Sequence, residues 1–294
     1  MTKQPLTVDE AYDHCRAIAH KHGANFSVGF RFLPKVKRRA VYAAYAYCRV
    51  ADDLSDEPLD GDPSPSDQLR TTRLDEWQQE LDACYAGKPS HPVTIALADA
   101  LQHFRIPKSA FVALLDGCRQ DIVKTRYETF DELLQYCDYV ATSISDISLS
   151  IFGYKSEKAL VYGRSLSTAL QLTNVTRDIG DDVTRDRIYV PAEELRRFGV
   201  SERELLERVE NDRVRSLVEF QIARAERYFQ DAEPLLRELD FDARFPTLLM
   251  GGVYATVLGK LRKDPLAAVR QRIRLSTARK LLVVGTRVLR PHFI

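Results

Sequence analysis

The chain has 294 residues, with 43 Lys and Arg against 42 Asp and Glu, for a formal net charge of +1. Its 45% hydrophobic and 29% charged residues are those of an ordinary globular protein, long enough to bury a large core. The even charge balance, with basic residues dispersed rather than interleaved with aromatics, excludes a nucleic-acid-binding surface as the expectation.

Helical periodicity runs along the chain, and alternating strand patterns are nearly absent. Thr7 and Glu10 have capping-box spacing ahead of "AYDHCRAIAHKHG", a helix expected to end at Gly23. Pro34 opens a second helix that passes through "CRVADDLSDE" and stops at Pro58. The stretch 57–66 is a Pro-, Asp- and Ser-rich loop, too short to separate domains. Helices follow over 67–86, 92–105, 108–126, 129–152 and 156–184. After "DRIYVP" come a short helix at 191–197, a long one at 208–238, one opened by Pro246 and ending near Arg262, and a last one after Ser276. The pattern predicts an all-α fold, a single domain over 1–294 with its N-terminal helix within 1–24, whose long helices enclose a central apolar cavity.

Five cysteines, Cys15, Cys48, Cys84, Cys118 and Cys137, form no Cys-x-x-Cys pair. They read as packed, reduced thiols of a cytoplasmic protein. No histidine follows a Glu by three positions, so the Glu-x-x-His signature of di-iron bundles is absent. The N-terminus lacks an apolar signal core, and no apolar window is long enough for a transmembrane span. The apolar, basic "ARKLLVVGTRVLRPHFI" reads as a packed terminal helix, with a peripheral membrane contact as the alternative.

The charge pattern is most informative at two places. Asp52 and Asp56 lie four apart, on one face of a helix whose body, "AVYAAYAYCRVA", is apolar and aromatic. Arg49 and Tyr45 precede them on that face. In "LQLTNVTRDIGDD", Asp178 and Asp182 are again four apart, and Gln171, Asn174, Asp178 and Asp182 form one polar stripe on a continuous helix. Arg177 stands just before the first of these aspartates. Carboxylates so crowded on apolar helices need a counter-charge. Ordinary charged helix ends are the competing reading, but two matched clusters facing a shared pocket favour Mg2+, which takes one or two carboxylates and bridges to phosphate oxygens. A diphosphate ligand follows, with Arg49 and Arg177 as bidentate phosphate holders.

At these residues the chain resembles the squalene/phytoene synthase family of head-to-head prenyltransferases. "NFSVGFRFLPKVKRRAVYAAYAYCRVADDLSDE" is similar to the first family signature. "LQLTNVTRDIGDDVTRDRIYVPAEEL" is similar to the second, and "LLDGCRQDIVKTRYETFDELLQYCDYVA" to the central stretch. The resemblance spans Asn25 to the last helix. It implies an isoprenoid synthase bundle that binds two prenyl diphosphates and Mg2+. It places Asp52, Asp56, Asp178 and Asp182 at metal positions, and Arg49, Gln171, Asn174 and Arg177 beside diphosphate and metal. Phe26 and Tyr136 fall at pocket positions, and Asp121 and Tyr189 near the diphosphates. The catalytic set it implies is Tyr136, Arg49, Asp52 and Asp178, with Tyr136 assisting proton removal.

One departure stands out. Where the family has Val-Ala-Gly-x-apolar-Gly, this chain reads "VATSIS", so polar Thr142 and Ser145 replace glycines. If these residues line the cavity they could admit water and give an alcohol such as hydroxysqualene; otherwise they bond back to helix carbonyls. The favoured substrate on the motifs is farnesyl diphosphate, giving presqualene diphosphate and squalene or a relative. Geranylgeranyl diphosphate giving phytoene is the alternative. No Gly-x-Gly-x-x-Gly fingerprint supports NADPH. A non-catalytic scaffold and a prenyl-lipid binding protein are the readings of another class.

Overall fold

The capping box forms as its spacing predicts: the Thr7 amide donates to Glu10 Oε2 at 2.9 Å and the Glu10 amide to Thr7 Oγ1 at 3.3 Å. It opens the first helix of a computed structural model that describes residues 6–22, 27–56, 65–270 and 292–294. The helices in chain order are α1 (Val8–His22), α2 (Ser27–Phe30), α3 (Lys35–Asp56), α4 (Asp67–Tyr85), α5 (Pro92–His103), α6 (Lys108–Val123), α7 (Phe130–Cys137) and α8 (Ser143–Phe152). There follow α9 (Lys158–Arg177), α10 (Ile179–Asp182), α11 (Ala192–Phe198), α12 (Glu202–Leu206), α13 (Asp212–Ala232), α14 (Leu235–Glu238), α15 (Phe241–Lys263) and α16 (Ala267–Arg270). Among the described residues there is no sheet, only two isolated bridges, Arg126 with Ile188 and Tyr154 with Leu239. The fold is an all-α, single-domain helical bundle.

Helix α3 is the central strut. Its Ala40, Ala43, Ala44, Ala46 and Ala51 are all buried, and small side chains let neighbours approach closely. Helices α1 and α5 cover one flank, α4 and α6 another, and α8 a third. Tyr47 on α3 stacks on Trp77 of α4 with centroids 4.9 Å apart, and the Trp77 indole N–H donates to the Tyr47 carbonyl at 3.3 Å. Helix α9 lies along α13 and against α8 and α15, so α3 and α9 bound a common interior. All five cysteines are buried free thiols.

Glu80 ties α4 to the start of α5. It accepts from Ser90 N and Oγ at 2.7 Å each, from His91 N at 2.9 Å and from Thr94 Oγ1 at 2.5 Å. Partial burial works to raise its carboxyl, but these four bonds outweigh that and hold it down at about 2. A folded-state value below the unfolded one adds stability above about pH 4.5 that is lost as pH falls toward 2. Glu80→Gln is therefore expected to lower Tm by several degrees at pH 7. The difference should shrink in acid-side melts below pH 4.

The structure departs from the periodicity in four places. The helix expected over 156–184 breaks after Arg177. Asp178 takes a bridge-region backbone (φ −101°, ψ 8°), so the polar stripe turns a corner there. The helix expected over 129–152 contains a π-turn at Asp138–Thr142. This turn fits because Gly117 on α6 leaves room: a Cβ there would lie 2.5 Å from Val140 Cγ1. The helix expected over 208–238 resolves into α13 and α14, and α12 precedes it as a separate short helix. Pro246 lies inside α15 rather than at its start, because the chain turns helical already at Phe241. Helix α2 had no signal in the periodicity. The helix end at Gly23, Phe26, the loop residues 57–64 and the helix after Ser276 lie outside the described residues.

Candidate active site

Four segments bring the predicted residues together. Helix α3 delivers Tyr45, Arg49, Asp52, Asp53 and Asp56 from its last three turns. Helix α6 ends with Asp121, α9 carries Gln171, Asn174 and Arg177, and the 178–189 segment carries Asp178, Asp182, Arg187 and Tyr189.

Local chemistry holds the last segment in place. Asp186 adopts a left-handed conformation (φ 53°), which a short acidic side chain tolerates, and the chain reverses there. Arg126 Nη2 donates to Asp186 Oδ1 at 2.6 Å. The Ile188 amide then donates to Thr125 O at 2.9 Å, and the Ala192 amide to Tyr127 O at 2.8 Å. This zipper sets Arg187 and Tyr189 against Asp121. Tyr189 OH donates to Asp121 Oδ1 at 2.9 Å and Tyr136 OH to Asp121 Oδ2 at 2.7 Å. Tyr136, Tyr127 and Tyr189 pack ring on ring. Tyr136 is buried and bonded to Asp121, not part of the cavity wall.

The two acidic clusters meet through arginine. Arg187 Nη2 donates to Asp56 Oδ1 at 3.1 Å and to the Asp121 carbonyl at 3.0 Å, and Arg185 Nη1 lies 3.8 Å from Asp56. Arg177 Nε donates to Asp178 Oδ1 at 2.7 Å, and Arg49 pairs with Asp53. Arg187 and the wall tyrosine Tyr254 were not singled out in the sequence. Arg187 has a signal there in retrospect, a basic residue following the second acidic cluster.

The carboxylates are under electrostatic strain. Asp52 is open to water but ringed by protein; this confinement, eased by Arg49 and reinforced by Asp56 and Asp121, pushes its carboxyl up to about 7. Asp182 is also pushed up to about 7, by burial first and by Asp178 next, against the pull of Arg187. Burial raises Asp121 to about 6, despite the phenol donors and Arg187. Each of the three therefore resists ionisation until positive charge arrives.

Among the described residues, no three His, Cys, Asp or Glu side chains stand close enough to hold a metal by themselves. The residues nonetheless fit a hard divalent cation. The donors are oxygen-only and strained toward protonation. Asn174 Oδ1, one turn before Asp178, is buried without a hydrogen-bond partner. Mg2+ usually takes only one or two carboxylates and completes its shell with water and phosphate.

Beside this acidic mouth lies an apolar cavity of about 220 Å³. Tyr45, Ala44 and Val41 of α3, Tyr254 and Met250 of α15, and α9 from Asn174 back to Gly163 form its walls. Eleven helical residues separate Asn174 from Gly163, about 16 Å of wall. Gln171 and Asn174 are its polar rim, joined by a 3.3 Å bond. Of the two residues standing where the family has glycines, Thr142 bonds to Asp138 Oδ1 at 3.0 Å, whereas Ser145 lines the cavity with Ser148.

Gly180 seats the second cluster. A Cβ at this position would lie 2.4 Å from the Val269 carbonyl oxygen, and the Gly180 carbonyl accepts from Arg208. Gly180→Ala is expected to destabilise the fold by about 1–3 kcal/mol. It should also lower turnover by displacing Asp178 and Asp182, which thermal melts and steady-state rates would show.

The squalene/phytoene synthase family model matches residues 19–279. The 15-cis-phytoene synthase of Synechocystis sp. is 36% identical, over 99% of this chain and 88% of its own length. That of Synechococcus elongatus is 33% identical, over 97% and 94%. A solved dehydrosqualene synthase superposes with a TM-score of 0.87 at 28% identity, covering 97% of this chain and 98% of that one. A solved squalene synthase from Alicyclobacillus acidocaldarius gives 0.81 at 30% identity, covering 89% and 96%.

Proposed function

The chain belongs to the squalene/phytoene synthase family, and from that membership we propose that it condenses two molecules of geranylgeranyl diphosphate to the C40 hydrocarbon phytoene. Head-to-head prenyl transfer is the family's chemistry, and this chain is a prenyltransferase of that family. The likeness to two 15-cis-phytoene synthases along nearly the whole chain carries the choice of substrate. It outweighs the preference for farnesyl diphosphate drawn from the motifs. The long apolar wall of α9 supports the longer chain. Farnesyl diphosphate is the second reading, favoured by the likeness to a dehydrosqualene and a squalene synthase.

In this reading Asp52, Asp56, Asp178 and Asp182 hold Mg2+ with help from Asn174. The ion, when bound, neutralises the leaving diphosphate and eases breakage of the allylic C–O bond. Arg187, Arg177 and Arg49 add positive charge at the mouth, their present carboxylate partners giving way to phosphate oxygens. The cavity walls keep water from the allylic cation, and Tyr45 and Tyr254 supply aromatic rings that favour positive charge. The cation is attacked by the double bond of the second chain, and loss of a proton closes a cyclopropane. Departure of the second diphosphate opens the ring to a 1-1′ linked cation, which loses a second proton to give the hydrocarbon; in this reading Asp121, held by Tyr136 and Tyr189, accepts it. Competition between the two diphosphates tests the choice. A kcat/KM at least about tenfold higher for the C20 substrate supports it, and a preference for the C15 substrate moves the assignment to the second reading.

A further inference from the structure

The end of the molecule far from the acidic mouth has a different surface. Phe241 is 84% exposed, Phe32 54% and Val36 52%. Phe32 packs edge-on against Phe245, centroids 4.8 Å apart, which joins the α2–α3 turn to the start of α15. Phe241 and Phe245 are one turn apart on α15, so the three phenylalanines form one apolar patch, with Val36 exposed four residues beyond Phe32.

Its rim is basic. Arg31, Lys35 and Arg38 flank Phe32 and Val36, with Arg38 Nη1 donating to the Arg31 carbonyl at 3.2 Å. Arg244 lies 5.9 Å from the Phe241 ring centre. The nearby carboxylates, Asp240 and Asp242, both turn to Lys37, at 3.1 and 2.8 Å. Among the described residues, none of Arg31, Lys35, Arg38 and Arg244 has a carboxylate partner.

The patch is continuous with the cavity wall. Phe30, two residues before Phe32, and Thr247, two after Phe245, both line the cavity. So does Phe152, whose carbonyl accepts from Lys37 Nζ at 2.7 Å. Lys37 precedes Asp52 by fifteen residues of α3, about 22 Å along the helix. The patch thus caps the greasy end of the cavity, opposite the end suited to diphosphate.

We propose that this patch docks the protein on an anionic phospholipid bilayer, with Phe241, Phe32 and Val36 entering the headgroup boundary and the four basic side chains meeting lipid phosphates. A second copy of the chain would set like-charged rims against each other, so the charge pattern selects lipid. Docking here places the apolar end of the cavity against hydrocarbon, where a prenyl chain or hydrocarbon product is soluble. The inference stands on surface chemistry and does not depend on which prenyl diphosphate is used.

Vesicle flotation tests it, with phosphatidylcholine alone and with phosphatidylcholine containing phosphatidylglycerol. The full chain is expected to float with the anionic vesicles and to be released by salt. Phe241→Ser with Val36→Ser should weaken binding by about tenfold or more. Lys35→Glu with Arg244→Glu should weaken it by about fivefold or more per residue, on anionic vesicles alone. Both variants should turn over detergent-solubilised substrate at the parent rate, which shows that they fold. The proposal is overturned if the parent chain ignores anionic vesicles, or if both variants float as well as the parent. It is equally overturned if the patch variants abolish a concentration-dependent dimer and leave vesicle binding unchanged.

Discussion

Asp52→Asn is expected to lower kcat by about 10³-fold or more, while the Tm of the metal-free protein holds or rises. The two halves of this result have one cause. Asp52 lies in a protein-ringed position with Asp56 and Asp121 beside it, and its carboxyl is raised to about 7. As a metal-free carboxylate it strains the fold, so a neutral amide of the same shape relieves repulsion. On the proposed metal role, its value appears when a divalent cation and diphosphate arrive. Mg2+ with inorganic diphosphate should raise the Tm of the parent protein by mass action, and Asp52→Asn should lose most of that shift. Asp182→Asn should behave alike, since its carboxyl is raised by the same causes. Asp178→Asn should differ, because Asp178 carries the ion pair with Arg177 and its loss strands a partly buried guanidinium. Parent-like turnover in Asp52→Asn would sink the metal assignment.

Val41→Phe is expected to cut kcat/KM for geranylgeranyl diphosphate by about tenfold or more and to spare farnesyl diphosphate. Val41 lies on the cavity wall, eleven residues before Asp52 on α3, about 16 Å from the acidic end. A phenyl ring there shortens the space left for a chain extending from that end, and the fourth isoprene unit is the first to meet it. Competition assays would report the change as a shift in the product ratio from C40 toward C30. Val41→Ala should leave the ratio unchanged. Equal loss for both substrates in Val41→Phe would mean that Val41 is not at the chain-length end.

The helical class and most helix spans were legible because they rest on local rules. Thr7 and Glu10 cap α1 as their spacing requires, and Pro34 stands just ahead of α3. The four aspartates stand out in the sequence because paired carboxylates on apolar helices demand a partner. The corners were not, because long-range contacts set them. Nothing near Asp178 signals a break. It becomes intelligible only with Val269 and Arg208 on either side of Gly180. The π-turn at 138–142 likewise depends on Gly117, on a different helix. Arg187 was overlooked because its role is to bridge Asp56 and the Asp121 carbonyl, groups 131 and 66 residues away. Tyr136 reads from the sequence as a pocket side chain, whereas in the structure its hydroxyl donates to Asp121.

The most direct measurement is the product itself. Purified protein would be incubated with Mg2+ and geranylgeranyl diphosphate, and the extract identified by mass spectrometry. A C40 hydrocarbon that needs no added reductant and disappears with chelator is the expected result. The absence of any coupled product from either prenyl diphosphate, with Mg2+ present and the fold intact, would contradict the assignment of this site to head-to-head prenyl transfer.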